Sequence, residues 1–309
     1  YEPNRRRGME NDTEITGKAN NLVGIVPISG HDAFDFEQPW PNCMMPIGPA
    51  YSLLEAAVVE CAYAGCKSIW IVANDDVAPL IRKTLGNWCG DPVWAWRTMD
   101  PIPNESKRRI PIYYTSVNPK DRHKRDCLAW SVIHGALTAF KVFNQLSAHM
   151  TPSKYYVSFP HGFFPAYQIR EHRRMISSSQ NCYITSQGES IKDGRFASFT
   201  FGKEDWLEFR RVIRTGTGRR VPGSNIEDDL MLPPEESWSA RYFPPEKVFS
   251  PLKLEESHEI VVENYFDIRN WEEYTDFIAA SRNFSMRKPS KSILIRGGFN
   301  PIASDDQET

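Results

Sequence analysis

The chain has 309 residues, which is enough for one large α/β domain or two modest ones. Hydrophobic residues make up 40% of it and charged residues 25%, a profile typical of a soluble globular protein. The formal net charge of −2 excludes the strong basic field on which general nucleic-acid binding depends. We therefore expect no nucleic acid among its partners.

The cysteines and the apolar runs bear on the compartment. None of the six cysteines forms a C-x-x-C pair, which favours free thiols in a reducing compartment over a disulfide framework. No apolar stretch approaches the ~20 residues of a spanning helix, and the start of the sequence shows no signal-peptide pattern. These features predict a cytoplasmic protein without a membrane partner.

Apolar periodicity predicts an alternation of strands and helices after a polar tail over residues 1–20. Short apolar runs indicate strands, and spacing near 3.6 residues indicates helices. In chain order we predict strand 21–29, helix 49–64, strand 67–73, helix 75–86, strand 110–117, helix 127–148 and strand 154–159. This alternation favours a parallel sheet with right-handed crossovers.

Capping residues indicate where the predicted helices begin and end. Pro49 suits the start of the first helix, and Gly65 suits its C-terminal cap. Asp126 is well placed as the N-cap of the long helix. In the aromatic stretch after the strand at 154–159, Phe163 and Phe164 are the better candidates for exposed rings that stack on a ligand.

The pattern changes beyond residue 170. Short strand-like stretches occur at 181–186 and 195–201, an amphipathic helix at 203–214, long loops over 215–257, and a strand, a turn and a helix around Asp267. We predict a single domain over 21–285, with a core at 21–175 and a smaller α+β insertion at about 176–257. Residues 286–309 would form a C-terminal extension.

Three stretches resemble the nucleotidyltransferases that make nucleotide sugars from an NTP and a sugar 1-phosphate. They are "PNCMMPIGPAYSLLEAA" (41–57), "AYAGCKSIWIVANDD" (62–76) and "VENYFDIRNWEEYTDFIAA" (262–280), similar to the opening of the family's first helix, the strand after it and its closing segment. The resemblance covers roughly residues 22–170 and 260–280. It implies a Rossmann-like α/β fold of the GT-A type, a three-layer sandwich with a mostly parallel central sheet. It also implies a nucleotide or nucleotide sugar as ligand and Mg²⁺ as cofactor.

The resemblance further implies which residues would hold the nucleotide. In the family, the backbone of a glycine-rich first loop holds phosphates, and a lysine before the first helix contacts the α-phosphate. Asn42 stands at the lysine position here and would orient the α-phosphate. The first-loop residues that would hold phosphates are Ser29, Gly30, His31 and Asp32.

A metal and a balance of charge are implied as well. The reaction, attack of a sugar phosphate on the α-phosphorus of an NTP, needs a metal held by carboxylates. Asp267 matches the family's second metal-binding aspartate, and His161 stands at the position of the first. His161, or a cation of the loop 120–125 such as Arg125, would complete the balance. Charge runs are otherwise usually solvated, which is the alternative for this loop.

The residues at the chemical positions differ from those of the family. His31-Asp32 replaces its Thr-Arg, and Asn42 cannot neutralise a phosphate as lysine does. An imidazole at position 161 would be an unusual ligand for hard Mg²⁺. Two hypotheses therefore stay open: an active nucleotidyltransferase, or a catalytically inactive homologue with a structural role as a homo-oligomer or in a protein assembly.

Two other classes of site are weaker. His31, His123 and His161, with Asp32, Asp35 and Asp267, would suit a transition metal if they met at one sheet edge, but no H-x-x-x-H or H-x-E spacing supports this. A glycosyltransferase on the same fold would need a D-x-D motif after a strand. The carboxylate pairs at 75–76 and 228–229 are adjacent and not spaced.

Overall fold

The structure is a computed structural model, and it describes residues 21–30, 36–93, 109–122, 124–217, 243–283 and 294–295. Several predictions fall on residues outside these ranges: His31, Asp32, Asp35, His123, the carboxylate pair at 228–229, the tail 1–20 and the extension 286–309 apart from 294–295.

Strands make up the centre of the described structure. They are β1 (Leu22–Pro27), β2 (Pro46–Gly48), β3 (Tyr51–Ser52), β4 (Ser68–Val72), β5 (Trp88–Gly90), β6 (Arg109–Thr115), β7 (Lys154–Val157), β8 (Gly162–Phe163), β9 (Cys182–Thr185), β10 (Phe199–Phe201), β11 (His258–Val261), β12 (Phe266–Asp267) and β13 (Leu294–Ile295).

Helices cover the sheet formed by these strands. They are α1 (Leu53–Ala64), α2 (Ala78–Leu85), α3 (Pro119–Arg122), α4 (Leu128–Leu146), α5 (Arg173–Ile176), α6 (Lys203–Gly216), α7 (Pro245–Val248) and α8 (Trp271–Ala280). Short 3₁₀ turns occupy Asn42–Met44, Ala148–Met150, Ala166–Arg170, Ile191–Asp193, Leu254–Glu256 and Ser281–Asn283.

The main sheet has the order β11-β9-β10-β7-β1-β4-β6-β5-β13 within the described residues. Its middle, β7-β1-β4-β6, is parallel, as the alternation of strands and helices predicts. β10 and β5 join this middle part in antiparallel directions. All six residues of β1 are buried, since helices cover both faces of a parallel sheet.

The two faces of the sheet carry separate apolar cores, which makes three layers. Alternate residues of β1 divide between them: Leu22 and Val26 pack with α1, whereas Val23 and Ile25 pack with α4. α4 lies close to the sheet because Gly135 carries no side chain. A Cβ there would come within 2.7 Å of a methyl group of Val72. The predicted three-layer α/β fold is confirmed.

The predicted start of the first helix is wrong by four residues, and the predicted N-cap of the long helix is wrong by one. α1 begins at Leu53, because residues 46–52 form the β2–β3 pair. Ser52 caps it, with its hydroxyl accepting from the Glu55 N–H at 3.3 Å. Cys127, not Asp126, is the N-cap of α4, and its Sγ accepts from the Trp130 N–H. The predicted C-cap is confirmed, since the residue after α1 has the left-handed φ of 94°.

Three further observations bear on the sequence predictions. Phe163 and Phe164 are both buried, so the expectation of exposed rings there is wrong. All six cysteines are buried, and none is joined in a disulfide. Among the described helices, none has the length and apolar character needed to cross a membrane.

Candidate functional site

The carboxyl ends of the parallel strands meet at one edge of the sheet. Pro27 of β1 pairs with Val72 of β4, and β7 ends beside them, so the segments that follow these strands lie together. Crevices at such edges are the usual ligand sites of open α/β sheets. A cavity of about 370 Å³ lies here. Its lining includes Ile28, Gly30, Gln38, Trp40, Asn42 and His161.

Ser29 is used inside the fold. Its N–H donates to the Val72 carbonyl at 2.9 Å, and its hydroxyl donates to Asn74 Oδ1 at 2.9 Å. The Ser131 hydroxyl donates to the carbonyl oxygen of Ser29. Gly30, the next residue, is the part of the first loop that lines the cavity.

Gly30 can only be a glycine in this conformation. Its φ is +144°, and a Cβ would lie 2.4 Å from the backbone nitrogen of Leu128 at the start of α4. The first loop is therefore pressed against the N-terminus of the long helix. This contact places the loop at the cavity.

Asn42 and His161 reach the same cavity from two other segments. Asn42 begins the 3₁₀ turn that precedes β2. His161 follows β7 and is buried, with its Nδ1 3.1 Å from the Ile268 carbonyl oxygen, which fixes the proton on Nδ1. Burial lowers the pKa of His161 from 6.5 to about 4, and Arg269 adds to the effect. The imidazole is therefore neutral at pH 7 and brings no positive charge to the site.

The remaining lining is aromatic and amide in character. Trp40 is 47% exposed and stands beside Gln38 in the segment between β1 and the 3₁₀ turn. Within the described residues, the lining of this cavity contains no Asp, Glu, Lys or Arg side chain. Such a surface can stack on a ring and exchange hydrogen bonds with its polar edges.

Asp267 lies next to His161 in the backbone but lines a different cavity. β12 pairs with β8, and the Ile268 N–H donates to the His161 carbonyl at 2.8 Å. The Asp267 side chain, however, lines a second cavity of about 640 Å³, together with Arg195 and Arg269 among others. The structure thus brings Gly30, Asn42 and His161 together and leaves Asp267 out.

The oxygens of the Asp267 carboxylate are already engaged. Oδ1 accepts from the Phe196 N–H at 2.9 Å and from the Tyr265 hydroxyl at 2.7 Å. Oδ2 lies 3.2 Å from Arg195 Nη1 and 3.4 Å from Arg269 Nη2. A metal ion at this carboxylate would have to displace one of these donors.

Arg125 is likewise engaged away from the cavity. Its Nη1 donates to Asp121 Oδ1 at 3.0 Å, and its guanidinium lies 4.7 Å from the centre of the Trp130 ring. Arg122 of the same loop forms an ion pair with Asp75 at 2.5 Å. Neither arginine is among the lining residues of the 370 Å³ cavity.

Comparisons with known proteins give a relationship at the level of fold. No protein-family model matches the chain, and no curated protein matches it. A Bacillus anthracis structure assigned as a glucose-1-phosphate thymidylyltransferase, in complex with sucrose, is similar with a TM-score of 0.53 at 8% identity, over 87% of this chain and 98% of that one.

The chain has a nucleotidyltransferase-like fold.

Two other solved structures are also similar to this chain. A nucleoside-diphosphate-sugar pyrophosphorylase from Vibrio cholerae has a TM-score of 0.44 and 14% identity, covering 83% of this chain and 99% of that one. Rv0371c from Mycobacterium tuberculosis H37Rv has a TM-score of 0.43 and 12% identity, covering 84% and 98%.

The side chains do not provide a ready Mg²⁺ site on this nucleotidyltransferase-like fold. In the part of the chain that the structure describes, no group of three or more His, Cys, Asp or Glu side chains is arranged to hold a metal ion. Asn42 and a neutral imidazole are poor replacements for the carboxylates that Mg²⁺ prefers. The Mg²⁺ cofactor stays a prediction without support from these residues.

Sequence reasoning missed Gln38 and Trp40. The signal for them was slight, a tryptophan between two prolines in the loop after the first strand. Only the folded chain shows that this tryptophan stands at the mouth of a cavity whose other walls come from Gly30, Asn42 and His161.

Proposed function

We propose that this chain binds a nucleotide or a nucleotide sugar in the 370 Å³ cavity, and that it does so without transferring a nucleotidyl group there. The observation that carries the proposal is the meeting of Gly30, Asn42 and His161 with Trp40 at the carboxyl edge of the sheet. These residues come from three separate segments of the chain.

The chemistry of the lining supports recognition of a ring. An exposed indole such as Trp40 offers a face on which a base or a sugar can stack, a contact worth about 1–3 kcal/mol for a base. Gln38 and Asn42 add amide donors and acceptors for the edge of a base or for sugar hydroxyls. The similar Bacillus anthracis structure, assigned as a thymidylyltransferase, makes a nucleotide sugar the favoured ligand class.

The charges around the cavity do not favour nucleotidyl transfer. Negative charge grows on the α-phosphate during nucleotidyl transfer, and enzymes offset it with cations or a metal placed beforehand. The described lining of the cavity holds no Lys or Arg side chain, and His161 is neutral. Asp267 belongs to another cavity and is occupied by two arginines. Binding without chemistry is the function that fits both facts.

Calorimetric titration and thermal unfolding with NTPs and nucleotide sugars, each with Mg²⁺ and with EDTA, test the proposal. A ligand at a hundred times its dissociation constant stabilises the folded state by about 2.7 kcal/mol. We expect binding that EDTA leaves unchanged and that Trp40→Ala weakens about tenfold. Trp88→Ala is the matched control, since Trp88 is 41% exposed on β5 and does not line the cavity.

Two results would overturn the proposal. If the folded protein binds none of these ligands, the cavity is not a nucleotide site. Metal-dependent release of pyrophosphate from an NTP and a sugar phosphate would support the hypothesis of an active nucleotidyltransferase instead.

A further inference from the structure

A third cavity, lined mainly by apolar side chains, lies between α4 and α6, at the opposite end of β7 from the 370 Å³ cavity. It has a volume of about 340 Å³ and includes Thr151, which stands just before the start of β7. His161, in the other cavity, follows the end of β7. The two cavities share no described lining residue.

The walls of this cavity are hydrocarbon. Leu137 and Phe140 line it from α4, Tyr155 from β7 and Trp206 from α6. The indole N–H of Trp206 donates to the Ile133 carbonyl at 3.0 Å, so the polar atom of this ring is already satisfied. The ring of Phe140 is 37% exposed at the opening. A wall of this kind favours an apolar body of small size, at the low end of the volumes found for ligand sites.

The lining also carries polar groups, and the Thr151 hydroxyl and the Lys203 ammonium distinguish the site from a plain apolar gap. The Thr151 hydroxyl oxygen is buried and has no hydrogen-bond partner among the residues that the structure describes. A buried hydroxyl without a hydrogen-bond partner is uncommon in proteins, so a ligand that supplies an acceptor would stabilise it. Lys203, the first residue of α6, is exposed, and no carboxylate of the described residues pairs with it.

We propose that this cavity binds a small amphipathic carboxylic acid. The hydrocarbon part would lie against Leu137, Phe140 and Trp206, where burial removes apolar surface from water. The carboxylate would pair with the Lys203 ammonium and accept a hydrogen bond from the Thr151 hydroxyl. A neutral or cationic head group would pair less well with the Lys203 ammonium and would be a weaker acceptor for the Thr151 hydroxyl.

Titration of the full chain with octanoate, 1-octanol and octylamine tests the head group on a constant tail. We expect octanoate to bind about tenfold more tightly than octanol, and octylamine to bind more weakly still. Butyrate, which keeps the head and shortens the tail, should bind far more weakly than octanoate.

Two variants test the residues. Lys203→Gln should weaken octanoate about fivefold and leave octanol unchanged, whereas Lys83→Gln on the exposed face of α2 should change neither. Thr151→Val should weaken octanoate about threefold while leaving the unliganded protein as stable as before or more so, because it removes an unpaired hydroxyl.

Equal affinity for octanoate and octanol would overturn the proposal, as would failure of octanoate to bind the folded chain. Loss of octanoate binding on self-association, seen by light scattering at rising protein concentration, would assign the apolar face to a second copy of the chain and also overturn it.

Discussion

Arg195 and Asp267 form an ion pair, with Nη1 3.2 Å from Oδ2, that joins the segment before β10 to the end of β12. The Asp267 side chain is 6% exposed and that of Arg195 is 32% exposed. The aspartate that the resemblance assigns to a metal is thus placed where its charge holds two parts of the backbone together.

Asp267→Ala should lower the free energy of unfolding by about 2–4 kcal/mol, because it leaves the Phe196 N–H and the Tyr265 hydroxyl without their acceptor and Arg195 without a buried partner. Chemical denaturation measures the loss. Asp276→Ala, an exposed change in the same cavity, should cost less than about 0.5 kcal/mol. Nucleotide affinity that falls with Asp267→Ala while stability stays unchanged would contradict the structural role.

Glu60 should make the protein less stable as the pH rises. Its carboxylate accepts hydroxyl hydrogen bonds from Tyr156 and Ser158, and from Ser198, at 2.5–2.8 Å, yet burial raises its pKa from 4.5 to about 7. The folded state therefore holds a proton that the unfolded state releases between pH 4.5 and 7. The contribution of Glu60 to stability is complete below pH 4.5 and is lost across this window by about 3 kcal/mol.

Glu60→Gln tests this dependence, since an amide keeps two acceptor bonds at its oxygen and can donate to Ser158. Because the opposite contribution of His161 remains, we expect the variant to gain about 3 kcal/mol of stability as the pH rises from 4.5 to 6.5, a range in which the native chain changes little, as followed by urea denaturation. A variant profile as shallow as that of the native chain would show that Glu60 does not contribute to the pH dependence.

His161 should act in the opposite direction. Burial lowers its pKa from 6.5 to about 4, so the unfolded state takes up a proton first as the pH falls. Its contribution is complete above pH 6.5 and is lost by about 3 kcal/mol as the pH falls to 4. In the native chain this loss partly cancels the effect of Glu60, so that the measured profile between pH 4.5 and 6.5 is shallow.

His161→Gln should expose the dependence due to Glu60 by itself, with stability that falls steadily as the pH rises from 4.5 to 7. The combined variant with Glu60→Gln should be nearly flat over the same range. An unchanged profile in His161→Gln would mean that the pKa of His161 is the same in the folded and unfolded states, which would contradict the effect of burial.

Gly30→Ala should be strongly destabilising, by about 2–4 kcal/mol. The new Cβ would meet the backbone at the start of α4 at 2.4 Å, and the φ of +144° strains any residue with a side chain. Gly202→Ala is the control, because a Cβ there meets nothing closer than 3.9 Å; we expect a change below about 1 kcal/mol. Equal thermal unfolding of Gly30→Ala and the native chain would contradict the contact with α4.

Local pattern was sufficient for the long elements. β1, β4 and β7 are short apolar runs, α4 buries one helical face, and α1 is a largely apolar helix that is buried on all sides, so the apolar pattern places these elements within a few residues. It failed for the β2–β3 pair and for β5, which have only two or three residues each and no period to detect. The caps of α1 and α4 are local hydrogen bonds, from the Glu55 N–H to Ser52 and from the Trp130 N–H to Cys127, but several neighbouring residues could have served.

The sequence by itself determined the layered α/β fold, since the apolar runs and the helical spacing of apolar residues indicate which long elements are buried. It also named Gly30, Asn42 and His161, which the fold does bring to one cavity. Only the tertiary structure separated Asp267 from them. The side chains on a two-stranded ribbon alternate between its faces, so residues joined by backbone hydrogen bonds can line different cavities. No local sequence pattern predicts which face of the β8–β12 pair lines which cavity.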